Sequence, residues 1–551
     1  MSELTRIFQH SKLLSLILCF LMLISLAGKL SASENTEHNN PASEISLDDS
    51  WKVLGSKNYS LIATAIDSII LNNPPQAYTA LNAMLEGQLY FTKNNNELYI
   101  LKEIDDNYIF TNLFTSETLS QDSKRGFKKV RINNRLRTQI RQSLASMQLN
   151  NKNAPVRLNA IQELLKDPAT ESTLLVEKLI DQETDEDVLK AMQTLLAINW
   201  LENADETTQM RAIEILANSI NPSALNALSR YKPATKALAK KAQAAIKHIK
   251  QKRDIYANIE TVFFGLSLGS VLALSAIGLA ITFGVMGVIN MAHGELMMIG
   301  AYTTYVIQLI MPNQIGASII VAIPCAFIVS GLAGIAIERG IIRHLYGRPL
   351  ETLLATFGVS LILQQTVRSI FSPLNRSVET PQWMSDAWQI NEVLGLTWNR
   401  FYIIIFCLLV FIALILVMKK TVLGLQVRAV AQNRMMARAM GVRSEWVDAL
   451  TFGLGSGIAG VAGVALSLLT NVGPNLGQAY IIDSFMVVVF GGVGNLWGTL
   501  VAGMSLGVIN KLLEPWAGAV LAKILLLIFI ILFIQKRPRG LFPQRGRAAE
   551  D

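Results

Sequence analysis

The chain has 551 residues, 51% of them hydrophobic, with a formal charge of +8, five histidines and three cysteines. In a soluble chain that charge would point to nucleic acid, but here the basic residues mostly flank apolar runs, so membrane topology accounts for them and no nucleic-acid partner is expected. Cys19, Cys325 and Cys407 all lie in apolar stretches, which leaves the polar half of the chain without a disulfide framework.

Arg6 and Lys12 precede an apolar run at 13–27 that ends in the small residues of "SLAGKLSAS". Charged, then apolar, then small is the order of a secretory signal, here residues 1–33; an uncleaved signal anchor is the alternative. Either sends the following segment across the membrane. Residues 34–152 read as an exported region with a small β module. Within it "QLYFTKNNNELYIL" (88–101) sets two aromatic, β-branched arms about an Asn cluster, and "NYIFTNLF" (107–114) follows, which predicts a hairpin-based sheet. From 153 the apolar period turns helical: "VRLNAIQELL", "VLKAMQTLL", "QMRAIEILA" and "LAKKAQAAIKHI" recur at irregular intervals of roughly 20 to 32 residues. Over 153–253 this predicts either stacked helix pairs of the HEAT or armadillo kind or a plain helical bundle. No phosphate loop or catalytic cluster appears there, so the exported domain reads as mainly helical scaffold, closed by the basic helix 240–253.

Residues 254–540 read as an all-α polytopic membrane domain. Stretches free of Asp, Glu, Lys and Arg occupy 261–294, 296–337, 352–367, 401–418, 449–482 and 484–510, and about 20 apolar residues make a span. With the N-terminal region outside, spans at 257–283, 296–311, 319–337, 352–371 and 401–418 deliver Arg339, Arg343 and Arg348, then Lys419, Lys420, Arg428, Arg434, Arg438 and Arg443, to the cytoplasm. The basic tail, whose end at 541–551 is cytoplasmic, agrees with them under the positive-inside rule. "GGVGNLWG" (491–498) interrupts 483–514 and leaves two arms short for a crossing, which predicts a re-entrant hairpin or broken helix. The count is seven crossings plus this hairpin, or nine. Gly265 over Gly269 and Gly453 over Gly457 have the four-residue spacing that lets helices approach closely, and Lys523 is expected to snorkel toward an interface.

Two segments stand out. "GVINMAHGELMMIGAY" (287–302) gathers Asn290, His293, Gly294 and Glu295 between apolar runs; polar groups at such depth suggest function, although they also suit a turn that bonds neighbouring helix ends. A metal is not expected, because His293 has no second His or Cys at ligand spacing. "TVLGLQVRAVAQNRMMARAMGVRSEW" (421–446) places Arg428, Ala431, Met435 and Ala439 at helical spacing with Gly441 as a stop, an amphipathic helix for the membrane surface or a partner's groove.

These segments and the closing "RPRGLF" (537–542) resemble, in order, the motifs of the LivH-type permeases of ABC importers, the branched-chain amino acid and urea group. The resemblance implies that 421–446 is the segment inserted into an ATPase subunit, carried by Gly424, Arg428, Asn433, Met435, Met436, Arg438, Ala439 and Gly441. It also implies that Asn290, His293, Gly294 and Glu295 cap broken helices beside an aqueous pathway. The partners implied are two ATP-binding subunits, a second permease subunit and a periplasmic solute-binding protein, at the bacterial inner membrane. With no Gly-x-x-x-x-Gly-Lys-Ser/Thr loop in the chain, ATP hydrolysis is expected on the separate subunits; no catalytic residue or cofactor is expected here. A signal followed by a long extension is similar to the urea permease subunits of Gram-negative bacteria. Urea is therefore the expected solute, a branched-chain amino acid the alternative, and a passive small-solute channel a further one.

Overall fold

The computed structural model describes residues 46–542 except 57, 93–95, 105–106, 122 and 169, so the leader and the end of the tail lie outside the described residues. The chain forms two compact units, Met1–Leu195 and Leu196–Asp551.

In the first unit, helices α1 (Leu47–Val53), α2 (Tyr59–Asn72) and α3 (Ala77–Glu86) precede the sheet; the sequence predicted only the sheet. The side chains of Ser46 and Asn58 accept N–H groups from the first turns of α1 and α2, satisfying donors that a helix start leaves over. The sheet comprises β1 (Leu89–Thr92), β2 (Leu98–Ile104), β3 (Asn107–Asn112), β4 (Thr118–Gln121) and β5 (Phe127–Lys129), in the order β4-β3-β2-β1-β5 with antiparallel pairing throughout. The predicted hairpin is β1–β2, with Leu89 opposite Ile100 and Phe91 opposite Leu98. Alternation along the strands sorts the two faces. Leu89 and Leu98 join Ile62, Ile66 and Leu81 in one core, while Tyr99, Leu101 and Phe110 gather on the other face with Phe127. Each fully buried Leu or Ile contributes about 1.5–3 kcal/mol to holding this arrangement.

Next come α4 (Asn134–Gln148), α5 (Ala154–Lys166), α6 (Thr170–Leu179) and α7 (Glu186–Asn203). Arg157 of α5 donates two 2.7 Å bonds to the Glu183 carboxylate. These bonds first, and the N–H groups of Asp185 and Thr184 after them, hold that carboxyl down at about 2 against the opposing effect of burial. The boundary between the units falls inside α7, so the segment predicted as one region over 153–253 is divided between them.

In the second unit, the end of α7 packs with α8 (Glu206–Asn218), α9 (Pro222–Arg230) and the start of α10 (Lys236–Met286) through Leu201, Ile213, Leu216, Leu228, Leu238 and Ile249. Helix α10 runs for 51 residues. The basic helix and the first span, which composition separates, are therefore one element: "KRDIYANIE" contains no Gly or Pro to end a helix. Then follow α11 (His293–Ile310), α12 (Ile315–Gly340), α13 (Pro349–Phe371), the short α14 (Gln382–Ser385), the β6–β7 ribbon (Ala387–Gln389 and Gly395–Thr397) and α15 (Trp398–Lys420). The chain continues as α16 (Val422–Gln432), α17 (Arg434–Ala439), α18 (Ser444–Ser467), α19 (Leu476–Gly491) and α20 (Leu496–Lys536).

Among the described residues six helices, α10, α12, α13, α15, α18 and α20, are long and apolar enough to cross a membrane. This differs from seven to nine for physical reasons. The polar first turn of α11 lowers its hydropathy, and α19 has 16 residues, or about 24 Å. Helix α20 counts once although Gly518 (φ 77°, ψ 162°) breaks it. The "GGVGN" turn does separate two arms, but the second runs past Pro515 to Gly518 and is longer than the charge at Glu514 suggested. "RPRGLF" closes on that turn: Leu541 N donates to Phe490 O at 2.9 Å and Asn495 Nδ2 to Phe542 O at 3.1 Å.

Candidate functional site

Gly287, at φ 67°, ends α10, and the next turn is held by side chains. Asn290 Oδ1 accepts the Ala292 N–H at 3.0 Å, and Thr356 Oγ1 of α13 accepts the Met291 N–H at 3.1 Å. Asn290, His293 and Glu295 are all buried. His293 Nε2 lies 2.8 Å from the Ser275 carbonyl of α10. A carbonyl only accepts, so Nε2 carries the proton and Nδ1 is left as an acceptor, without a partner. The Glu295 Oε1 accepts from Ser360 Oγ at 2.8 Å and from Gln364 Nε2, while its Oε2 has no hydrogen-bond partner. Gly294 lies against α19, where a Cβ would stand 2.7 Å from the Gly477 carbonyl carbon.

The partners of this turn were not singled out in the sequence. Thr356, Ser360 and Gln364 recur every four residues on one face of α13 and meet 289–295 along its length. Their signal is a polar residue at every fourth place in a span whose hydropathy is the lowest of the six. A second group was expected to behave otherwise. Lys523 does not snorkel alone: its Nζ lies 2.9 Å from Asp483 Oδ2 of α19, below the Tyr480 ring at 5.8 Å. A carboxylate within reach on the neighbouring helix offers a better partner than distant water.

The 421–446 segment is two helices. Asn433 (φ −151°, ψ 101°) ends α16 and its side chain accepts the Met436 N–H to start α17 at 2.9 Å. Gly424 is buried against the Met418 backbone, and Gly441 takes φ 88° just beyond α17. Three of the four basic residues are tied within the chain: Arg428 to the Met418 carbonyl, Arg438 Nε to Ser444 Oγ at 2.6 Å, and Arg434 to both oxygens of the buried Asp448. Arg434 also covers the Tyr346 ring at 5.0 Å, where burial, with Asp448 and Glu338 beside it, pushes the phenol's pKa up. The apolar side chains are the free ones: Met435, Met436 and Met440 are 80%, 61% and 79% exposed, with Ala439 exposed beside them.

The packing glycines occupy helix crossings. Gly265 and Gly269 of α10 face Val508 and Met504 of α20, and Gly453 and Gly457 of α18 face Ile335 and Phe327 of α12; a Cβ at any of the four would lie 2.6–2.7 Å from its neighbour. Among the described residues no group of His, Cys, Asp and Glu could hold a metal ion.

Residues 261–534, from the span of α10 to the end of α20, match the family described as "Branched-chain amino acid transport system / permease component". A "High-affinity branched-chain amino acid transport system permease protein LivH" from Salmonella typhimurium is 31% identical over 293 residues, which are 51% of this chain and 94% of that protein. The chain belongs to the branched-chain amino acid transport system permease family. BraD of Pseudomonas aeruginosa, with the same printed role, is 29% identical over 52% of this chain and 96% of its own length. A probable LivH from Methanocaldococcus jannaschii is 25% identical over 49% and 88%. No solved structure matches the chain. This member of the permease family is a multi-pass membrane protein, and its first half has no counterpart in relatives that the match already covers almost whole.

Proposed function

We propose that this permease is the membrane-spanning subunit of an ATP-driven importer that carries a small polar solute from periplasm to cytoplasm by alternating access. The observation that carries the reading is the family match over 261–534, which takes in the buried polar turn and the whole exposed loop. On this reading residues before α10's span are periplasmic, and the 338–351 and 421–446 connections and the tail are cytoplasmic, in keeping with their Arg and Lys content. The helices within 153–253 serve as HEAT-like scaffold for protein contact. Two ATP-binding subunits grip α16 and α17, where Met435, Met436 and Ala439 fill a groove of the ATPase. Arg428 and Arg438, expected from the sequence to make polar contacts with the ATPase, are bonded to the Met418 carbonyl and to Ser444 and shape that surface instead. A second permease subunit and a periplasmic solute-binding protein complete the assembly, and Asn290, His293, Gly294 and Glu295 lie along the pathway.

The relatives' names support a branched-chain amino acid as the solute. The extension ahead of the matched region favours a second reading, urea, because such an extension is what the urea permeases resembled above possess. Uptake of labelled leucine and labelled urea, compared in cells with and without this subunit and with ATP depleted, tests both. Loss of one uptake on deletion names the solute. Uptake that survives ATP depletion means a passive channel and overturns the importer reading.

A further inference from the structure

We propose that Glu295 receives the cargo: its free carboxylate oxygen accepts an N–H group of the solute within a polar seam between α11 and α13. The proposal rests on the importer reading.

Glu295 is 1% exposed, and both donors that reach it, Ser360 and Gln364, go to the same oxygen. A carboxyl oxygen has two acceptor sites, and a buried acceptor left empty costs about 1–3 kcal/mol. Two α13 side chains thus orient the group while its other oxygen stays vacant, as expected of a site held ready for a donor. Other polar atoms of α11 and its leading turn also lack partners. Asn290 Nδ2, in the turn that leads into α11, is a donor without an acceptor, and the Tyr302 hydroxyl is unpaired. Tyr302 lies seven residues beyond Glu295, on the same face of α11. Donors and acceptors interspersed in this way suit a compact molecule carrying both, which describes an amino acid and urea alike; the shared feature is an N–H donor.

The seam is also built to part. Helix α13 buries only Thr352, Thr356, Val359, Ser360, Gln364 and Val367. Four of these six are polar, so little apolar packing binds the helix there and exchanging side-chain hydrogen bonds for bonds to a solute costs little.

The test uses the intact importer, with its ATPase and binding subunits, in proteoliposomes. Glu295→Gln keeps the size and an oxygen for Ser360 and Gln364 but turns an NH2 toward the cargo. Replacing that acceptor with a donor should lower uptake of the carried solute about tenfold. If that variant fails to co-purify with its ATPase, Gln364→Met decides instead and should raise the uptake KM several-fold. Unaltered uptake kinetics in the deciding variant overturn the proposal alone. A wild-type importer that moves neither solute overturns the importer reading and the proposal together.

Discussion

Gly294 separates the two helices of a tight crossing by the width of its missing side chain. A Cβ there would press on the Gly477 carbonyl carbon at 2.7 Å, and backbone cannot move aside as a side-chain tip can. Gly294→Ala should cost on the order of 1–3 kcal/mol and lower the melting temperature of the detergent-purified subunit. An unchanged melting curve would show that α11 and α19 pack less closely. Arg157 and Glu183 give a pH-dependent counterpart. The folded carboxyl titrates at about 2 against an ordinary 4.5, so its contribution is complete above about pH 4.5 and disappears as pH falls from there toward 2. Arg157→Ala should therefore destabilise the chain at pH 6 by on the order of 2–3 kcal/mol and much less at pH 3. Equal destabilisation at both, in melts of the full chain, would contradict that origin.

Single elements were legible where their signal is local. The β1–β2 hairpin follows from two aromatic arms about an Asn cluster, and the loop's apolar exposure from its Met and Ala. What was not legible depended on pairing across space. Helix α2 is the exception, its buried Ile62, Ala65, Ile66 and Ile69 already standing at helical spacing; the α16–α17 break hangs on one Asn that caps one helix while ending another. The two donors to Glu295 sit 65 and 69 residues away on α13, and Asp483 is 40 residues before the lysine it pairs with. Sequence spacing cannot reveal such partners. For the loop, Ala439→Asp should abolish ATP-coupled uptake while leaving the subunit at its normal membrane level; wild-type uptake would remove α17 from the coupling surface. For the ion pair, Asp483→Asn alone should destabilise more than Asp483→Asn combined with Lys523→Met, because an unpartnered charge within apolar surroundings costs more than an apolar pair. Additive effects in melting experiments would mean that the two charges do not interact.

At the scale of the whole molecule, the region matched by the family and the polar helices just before it share one helix. The C-terminal "RPRGLF" returns to seal the α19–α20 turn through Leu541 and Phe542. Truncation after Lys536 should therefore loosen that turn, read as faster amide exchange at 490–496 with α12 and α18 unaffected; unchanged exchange would assign the motif to another role.

Helix α10 crosses from the membrane domain into the polar helices as a single 51-residue rod, roughly 77 Å from end to end. A rod without a joint works as a lever. Were its apolar half to rock by roughly 10°, a tip about 30 Å beyond the pivot would sweep sideways by about 5 Å, so the polar helices riding on it would register each stroke of the bundle.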